Sequence, residues 1–312
     1  MAKNIQFIFN PSELGAGTRG ASLGPEAIRA AARTQQKSIF KDYKVVTVPN
    51  QNELLDSPTP YKFAKYIDGL LSVFENLAVE IHSCSTRGVF PIIVSGDHSA
   101  AAGTLKSLQK ENPNKRIGVV WIDAHADIHS PYTTPSGNIH GMPIAAALGL
   151  NHEHLAKNQV DQSTLTLWNQ LKSAAFNPQD LIYIGVRDTE KEEDKIISDL
   201  ELKNYSVEEL RQKGLQECLT EMTTKLGSCD LIYVSFDVDS IDPIETSYGT
   251  GTPVANGLLF AEAMHILNYF AQHPNLCAIE IVEVNPCLDD EKNKMAEHAL
   301  ALIENLITHR PN

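Results

Sequence analysis

The chain alternates short apolar runs with longer segments in which apolar residues recur every three or four positions. Runs without a polar alternation are typical of strands covered on both faces, as in parallel sheets. Such runs are IQFIF, YKVVTV, VFPIIVS, RIGVVWID, LIYIGV, LIYVSFD and AIEIVEV. Helical spacing is found in PEAIRAAAR, YIDGLLSVFENLAVEIHS, AAGTLKSLQK, LFAEAMHILNYFAQ and KMAEHALALIENLI. The pattern predicts an α/β fold, a three-layer α/β/α sandwich around a mostly parallel central sheet of about eight strands.

The domain organisation follows from what this pattern lacks. The sequence contains no internal repeat, low-complexity tract or linker rich in Gly and Ser. Large α/β folds often exceed the usual size of one domain, so we expect residues 1–312 to form a single catalytic domain. The stretch from Asn151 to Asp180 has the weakest pattern. We expect a helix and a loop there and assign it no function.

Composition and charge exclude several classes of protein. No apolar run approaches the roughly 20 residues that span a bilayer, and the start shows no signal-peptide pattern, so we expect a cytoplasmic protein without membrane contact. The formal net charge of −13 disfavours nucleic acid as a partner and suits a small cationic substrate. The five cysteines lack the paired spacing of a zinc site, and we expect them to be reduced.

Several of the predicted strands end in acidic or imidazole groups. In WIDAHADIH, Asp123, His125 and Asp127 follow an apolar run at every second position, and they would converge if the strand continued that far. Asp237 and Asp239 follow a second run. Because parallel sheets bind ligands at the carboxyl ends of their strands, these groups are expected to meet in one crevice.

A third strand end adds Asp97 and His98. Taken alone, Asp97 fits a turn and His98 fits a helix cap. Together the endings concentrate buried carboxylates that need a counter-charge, since an unpaired buried carboxylate costs several kcal/mol. The pattern therefore predicts a metal centre.

Charge and ligand type indicate which metal the centre would hold. Four Asp side chains would balance two divalent cations, and oxygen ligands with imidazole but no thiolate favour Mn²⁺, although Co²⁺, Ni²⁺ or Zn²⁺ can compete. Two such ions can share a bridging water and lower its pKa. The chemistry predicted from these residues is hydrolysis.

Five linked motifs resemble the ureohydrolase family of arginases and agmatinases: SGDHS, WIDAHADIH, SFDVDSIDP, GTGTPVANGLLFAEA and EVNPCLD. The resemblance covers nearly the whole chain. It implies the arginase-type sandwich, two Mn²⁺ per subunit and a homotrimer or homohexamer. It also implies one ion bound by His98, Asp123, Asp127 and Asp237, and a second bound by His125, Asp123, Asp237 and Asp239, with Asp123 and Asp237 bridging both.

The resemblance implies further roles close to the reacting atoms. Glu283 would receive the substrate guanidinium, unless it only supports the turn at Asn285-Pro286. Asp127 would transfer a proton from a metal-bridging hydroxide to the leaving nitrogen, and His140 would relay protons to and from solvent. Thr252 matches a position that lines the site. The alternative is that the Gly and Pro residues around it serve only a tight loop.

The far end of the substrate distinguishes the members of the family. Ser136 and Asn138 would bind an α-carboxylate, which agmatine lacks, although Ser-Gly-Asn also suits an ordinary turn. Asp188 and Glu190 would contact the α-amino group, with Glu190 in place of the more usual Asp. His129 stands where arginases usually have Asn, and we expect it to donate to the α-carboxylate. The alternatives for His129 are a seventh metal ligand or a surface-loop histidine.

The expected activity is hydrolysis of L-arginine to L-ornithine and urea. Agmatine, another guanidino acid or formiminoglutamate are the alternative substrates. A protein that keeps the fold and binds metal without turnover is the alternative of a different class.

Overall fold

The computed structural model describes residues 4–311, which fold around one parallel sheet of eight strands. The strands are β1 (Ile5–Asn10), β2 (Lys44–Thr47), β3 (Phe90–Ser95), β4 (Ile117–Ile122), β5 (Leu181–Ile184), β6 (Lys203–Tyr205), β7 (Leu231–Asp237) and β8 (Leu276–Val282). Their order across the sheet is β2-β1-β3-β8-β7-β4-β5-β6, and every adjacent pair is parallel. The predicted sheet is confirmed. The sequence pattern did not predict strand β6, because this strand is three residues long and lies at the edge of the sheet.

The helices connect these strands. They are α1 (Gly24–Thr34), α2 (Ile39–Asp42), α3 (Ile67–Arg87), α4 (Ala100–Glu111), α5 (Pro143–Leu148), α6 (Gln162–Leu171), α7 (Lys191–Asp199), α8 (Val207–Lys213), α9 (Leu215–Lys225), α10 (Phe260–Ala271) and α11 (Lys294–His309). All five helices predicted from apolar spacing are present, and α6 is the helix expected between residues 151 and 180. No helix among residues 4–311 is long and apolar enough to cross a bilayer.

The continuous apolar runs serve two separate cores, one on each face of the sheet. In β4, Val119 and Trp121 belong to the core that contains Leu70 of α3, whereas Val120 belongs to the opposite core with Ile303 of α11. All five side chains are fully buried. Burial of one such side chain stabilises a fold by about 1.5–3 kcal/mol, so a strand needs apolar residues at every position only when both faces are covered. The sandwich is therefore a direct consequence of the pattern.

The strand order places a crevice at the middle of the sheet. Strands β3 and β4 are consecutive in the chain, but β8 and β7 lie between them in the sheet. The connections on the two sides of this point run in opposite directions. Ligand sites of open α/β sheets lie at such a reversal, outside the carboxyl ends of the strands. The ends of β3, β8, β7 and β4 are neighbours there.

Gly96 packs the first of these strand ends tightly. Its N–H donates to Asn10 at 2.9 Å, and its carbonyl accepts from the N–H of Glu283 at 3.1 Å. A Cβ atom at this position would lie 2.3 Å from the carbonyl oxygen of Ser12. Only glycine lets the three chain segments approach this closely, because backbone atoms cannot yield as side chains do.

We therefore expect Gly96→Ala to destabilise the fold by about 1–3 kcal/mol, the usual cost of overpacking. The matched control is Gly141→Ala, because nothing lies within 4 Å of a Cβ built there. Urea denaturation of the two variants measures the difference. A Gly96→Ala protein as stable as Gly141→Ala would contradict the close approach.

Candidate metal centre

One cavity of about 270 Å³ lies at the carboxyl ends of the central strands. Eleven of the fourteen residues predicted for the site line it, and the other three, His98, Asp123 and Glu283, are buried beside it. The fold thus brings together side chains that are separated by up to 185 positions in the sequence. Their roles in binding and catalysis stay predictions.

The first candidate ligand group converges on the His98 ring. Its Nδ1 lies 3.0 Å from Asp123 Oδ2, 3.2 Å from Asp127 Oδ2 and 3.2 Å from Asp237 Oδ2. The ring stacks on Trp121 with centroids 3.9 Å apart, and the indole N–H donates to Asp123 Oδ2 at 2.9 Å. Stacking and hydrogen bonding therefore hold this group in place.

The second candidate group surrounds His125. Its Nδ1 lies 3.1 Å from Asp239 Oδ2 and 3.4 Å from Asp123 Oδ1. Asp123 belongs to both groups, as the predicted bridging role requires. Asp237 belongs to the first group alone, so its bridging role stays a prediction. Thr252 donates to Asp239 Oδ2 at 3.0 Å, which makes it a support for a ligand as well as part of the lining.

The donor set fits a pair of divalent cations. His98 Nδ1 is buried and has no hydrogen-bond partner, although the oxygens of Asp123 and Asp237 lie close to it. Donor atoms that crowd around one point without bonding to each other are arranged as ligands around an ion. Carboxylate oxygens with imidazole nitrogens suit Mn²⁺ and related metals, and no thiolate is present in either group.

The predicted convergence is achieved by a loop and not by a strand. Because β4 ends at Ile122, the expectation that alternate residues of a continued strand bring the ligands together is wrong. Asp127 turns inward through a left-handed backbone with φ of 49°, and Glu283 does the same after β8 with φ of 67°. Left-handed conformations of residues other than Gly are uncommon and cluster at functional sites.

Burial and crowding shift the acid–base properties of the ligands. Burial, with the nearby Asp123, raises the pKa of Asp127 to about 6. Burial also raises the pKa of Asp237 well above its usual value, with added repulsion from Asp239. Burial alone lowers the pKa of the His98 imidazole, but the surrounding carboxylates raise it well above its ordinary value. Without an ion, the cluster therefore holds protons that a bound metal would displace.

His140 lines the cavity, and Glu283 is buried beside it. Glu283 Oε1 accepts the backbone N–H of His98 at 2.9 Å and lies 3.5 Å from His140 Nδ1. Burial lowers the pKa of His140, but the bond and charge of Glu283 outweigh burial and raise it to about 9. Asp97 faces elsewhere, since its carboxylate accepts the N–H groups of Gly15 and Ser99. It serves the turn, as its sequence context allowed.

The rim of the cavity carries the residues predicted for the far end of a substrate. Ser136 Oγ accepts the N–H of Asn138 at 3.1 Å, and Asn138 Oδ1 accepts from Lys65 Nζ at 3.1 Å. Asp188 is exposed, and its Oδ2 lies 3.7 Å from His125 Nε2. Sequence patterns did not single out Lys65, because a lone lysine 73 positions away carries no local signal.

His129 is paired within the protein. Its Nδ1 lies 3.0 Å from Thr133 Oγ1, and its Nε2 lies 2.9 Å from Glu190 Oε2. This contact lowers the pKa of Glu190 to about 2. Neither ring nitrogen is available to a substrate unless one of these contacts breaks. The role of His129 toward an α-carboxylate stays a prediction, whereas its contact with Glu190 is a structural fact.

Glu193 is a site residue that the sequence analysis missed. It is buried, lines the cavity and forms a capping box with Glu190 at the start of α7. Burial raises its pKa well above the usual value, and Glu190 adds to the shift. The spacing Glu-x-x-Glu before a helix was the available signal, because it is a capping-box pattern.

A parallel α/β sheet whose central strands end in two groups of carboxylates and imidazoles defines a candidate binuclear metalloenzyme. Comparison with known proteins agrees. The Arginase family model matches residues 3–308. The arginase of Bacillus subtilis (strain 168) is 33% identical over 310 residues, covering 98% of each chain.

Solved structures give the same result. The arginase of Bacillus caldovelox superposes with a TM-score of 0.83 at 32% identity, covering 98% of both chains. The arginase of Entamoeba histolytica superposes with a TM-score of 0.84 at 27% identity, covering 98% of this chain and 99% of that one. The chain belongs to the arginase family and is a metal-dependent hydrolase.

Removal of metal is expected to lower the melting temperature, and added Mn²⁺ is expected to restore it by mass action. The loss should be larger at pH 8 than at pH 5. The pKa of Asp127, raised to about 6, exceeds the roughly 4 of an unfolded Asp, so the metal-free fold binds protons that the unfolded chain has released. That contribution is present below about pH 4 and is lost as the pH rises through 6.

Thermal melts with and without a chelator at the two pH values measure this difference. Identical melting temperatures with and without chelator at pH 8 would contradict a metal-stabilised cluster.

Proposed function

We propose that the protein is an arginase that hydrolyses L-arginine to L-ornithine and urea at a binuclear Mn²⁺ centre. The observation that carries the proposal is the pair of ligand groups that share Asp123 beside the buried carboxylate of Glu283. His98, Asp123, Asp127 and Asp237 would hold one ion, and His125, Asp123, Asp237 and Asp239 would hold the other. When bound, the two ions supply a water of lowered pKa as the nucleophile and stabilise negative charge.

Glu283 would orient the group that reacts. A guanidinium is planar and has paired N–H donors, and a carboxylate with two oxygens matches it best. The bond from the His98 N–H fixes the direction of the Glu283 side chain, so a guanidinium bound there would lie beside both ligand groups. Binding in one orientation lowers the entropic part of the barrier.

Two residues would move protons. Asp127 lines the cavity beside His98, so it can take up a proton as water adds and return it to the departing nitrogen. His140 is about one-fifth exposed, so it can exchange protons between the cavity and solvent.

Arginine is favoured over other guanidino compounds by the polar rim. Lys65 engages Asn138 Oδ1, so the N–H groups of the same amide remain for an acceptor such as an α-carboxylate. Glu190 and Asp188 provide negative charge for an α-ammonium. The Entamoeba histolytica arginase, 27% identical to this chain, was solved in complex with L-ornithine, which carries both groups.

Larger-scale properties belong to the same proposal. We propose that residues 1–312 act as one catalytic domain, that the chain assembles as a homotrimer or homohexamer, and that it works in the cytoplasm. Co²⁺ or Ni²⁺ would be possible substitutes for Mn²⁺.

Urea release from a panel of substrates tests the assignment. Arginine has an α-carboxylate and an α-amino group, agmatine has only the amine, and 4-guanidinobutyrate has only the carboxylate. After Mn²⁺ loading, we expect arginine to give the highest kcat/KM. Formiminoglutamate, whose hydrolysis would release formamide in place of urea, is expected to give no formamide. Preference for agmatine would replace arginase by agmatinase activity. No turnover of any substrate would leave only a metal-binding protein.

Asn138→Asp is expected to lower kcat/KM for arginine by about 10- to 100-fold, because a hydrogen bond to a charged group is lost and repulsion appears. Agmatine is the internal control, since it has no carboxylate to repel. Its kcat/KM should change by less than about twofold. Equal losses of kcat/KM for both substrates would show that Asn138 shapes the loop and does not bind the carboxylate.

A further inference from the structure

Glu280 is a buried carboxylate outside the site described above. It lies on β8 and is fully buried. Its Oε1 accepts from Ser95 Oγ at 2.6 Å, and its Oε2 accepts from Thr104 Oγ1 at 2.6 Å and from Tyr233 Oη at 2.8 Å. Hydrogen bonds of O–H groups to a carboxylate are charge-assisted and about 2.5–2.7 Å long. A carboxylate in an apolar sheet interior is costly, so these donors call for an explanation.

A line of hydrogen-bonding groups leads from Glu280 to the metal centre. Tyr233 Oη lies 3.4 Å from Ser235 Oγ, and Ser235 Oγ lies 2.7 Å from His98 Nε2. Ser235 and Glu280 are directly paired between β7 and β8. All four side chains are buried, so water does not compete for these contacts.

Glu280 determines which group donates and which accepts at each hydrogen bond along this line. Tyr233 has a single hydroxyl proton, and the shorter of its two contacts is the one to Glu280. Burial raises the pKa of Tyr233 well above its usual value, so the proton stays on the phenol. The Tyr233 oxygen can then accept from Ser235, and Ser235 can accept from His98 Nε2–H. This order places the proton of a neutral His98 on Nε2 and leaves the Nδ1 lone pair toward the three carboxylates.

We propose that Glu280 is a positioning residue for the metal centre, which acts through Tyr233 and Ser235 to hold His98 in the form that can bind an ion through Nδ1. The proposal rests on the binuclear centre proposed above. Metal-binding histidines usually donate their other N–H to a fixed partner, and loss of such partners typically costs 10- to 100-fold in affinity.

A purely structural role for Glu280 predicts something different. In that case the carboxylate would only link β3, α4 and β7, and loss of any one of its hydroxyl donors would have the same effect on metal binding. Thr104 separates the two cases, because it bonds Glu280 from α4 and no hydrogen bond joins it to Tyr233, Ser235 or His98 among the described residues. Thr104→Val removes one hydrogen bond of Glu280 while it nearly preserves the side-chain shape.

The test is a calorimetric titration of the metal-depleted full-length protein with Mn²⁺, which gives the number of ions and the Kd of each. Tyr233→Phe breaks the line and leaves Glu280 with two donors. Glu280→Gln introduces an amide NH₂ group that forces at least one hydroxyl to turn. We expect both variants to weaken the binding of one of the two ions by about 10- to 100-fold. Thr104→Val should stay within about twofold of the unmodified protein, although all three variants lose some stability.

The possible outcomes distinguish a failure of the proposed role of Glu280 from a failure of the proposed binuclear centre. If the unmodified protein binds fewer than two Mn²⁺, the binuclear centre is wrong and the role of Glu280 falls with it. If the unmodified protein binds two ions and Tyr233→Phe binds them equally well, only the role of Glu280 is overturned. A Thr104→Val protein that loses as much affinity as Tyr233→Phe would also overturn it. If Glu280→Gln does not fold, Tyr233→Phe still decides.

Discussion

Carboxylates that are buried within a few ångströms of each other repel, and the rest of this structure depends on how that repulsion is met. Asp123, Asp127, Asp237 and Asp239 are all buried at the ends of two adjacent strands. Burial favours their protonated forms, and the two imidazoles between them favour the opposite. The proposed pair of cations would resolve the conflict, since it would replace many protons with two fixed charges and allow every ligand to stay ionised.

The cavity exists because of the order of the strands. If β3 and β4 were adjacent, no crevice would open between them, and His98 would meet Asp123 across a ladder of hydrogen bonds. The insertion of β8 and β7 leaves room for a ring stacked on Trp121 and for two side chains that turn inward through left-handed backbone. Tight packing around Gly96 then connects the first strand end to Glu283. The backbone of the sheet thus positions the reactive groups, and the loops aim them.

The rim of the cavity contains a pair of side chains that contact each other. His129 and Glu190 contact each other directly, with Nε2 of the ring 2.9 Å from Oε2 of the carboxylate. This contact lowers the pKa of Glu190, so its carboxylate stays ionised close to the buried Glu193. The two side chains are coupled through one hydrogen bond, so a mutation of either one alters the surroundings of the other.

The sequence by itself determined the sandwich, its seven longer strands and which acidic and imidazole groups gather at the strand ends. It could do so because continuous apolar runs require two covered faces, and because acidic groups at the ends of such runs must share a counter-charge. Only the tertiary structure decided how these groups meet. The pattern of alternate residues suggested a continued strand after Ile122, but a positive φ at Asp127 performs the turn, and periodicity carries no record of a single dihedral angle. Glu280, Tyr233 and Ser235 are polar residues within apolar strands, and their link to His98 appears only when β7 and β8 are set side by side. The partner of His129 was likewise set by the fold, because a contact across 61 positions depends on where two loops cross and not on either stretch of sequence.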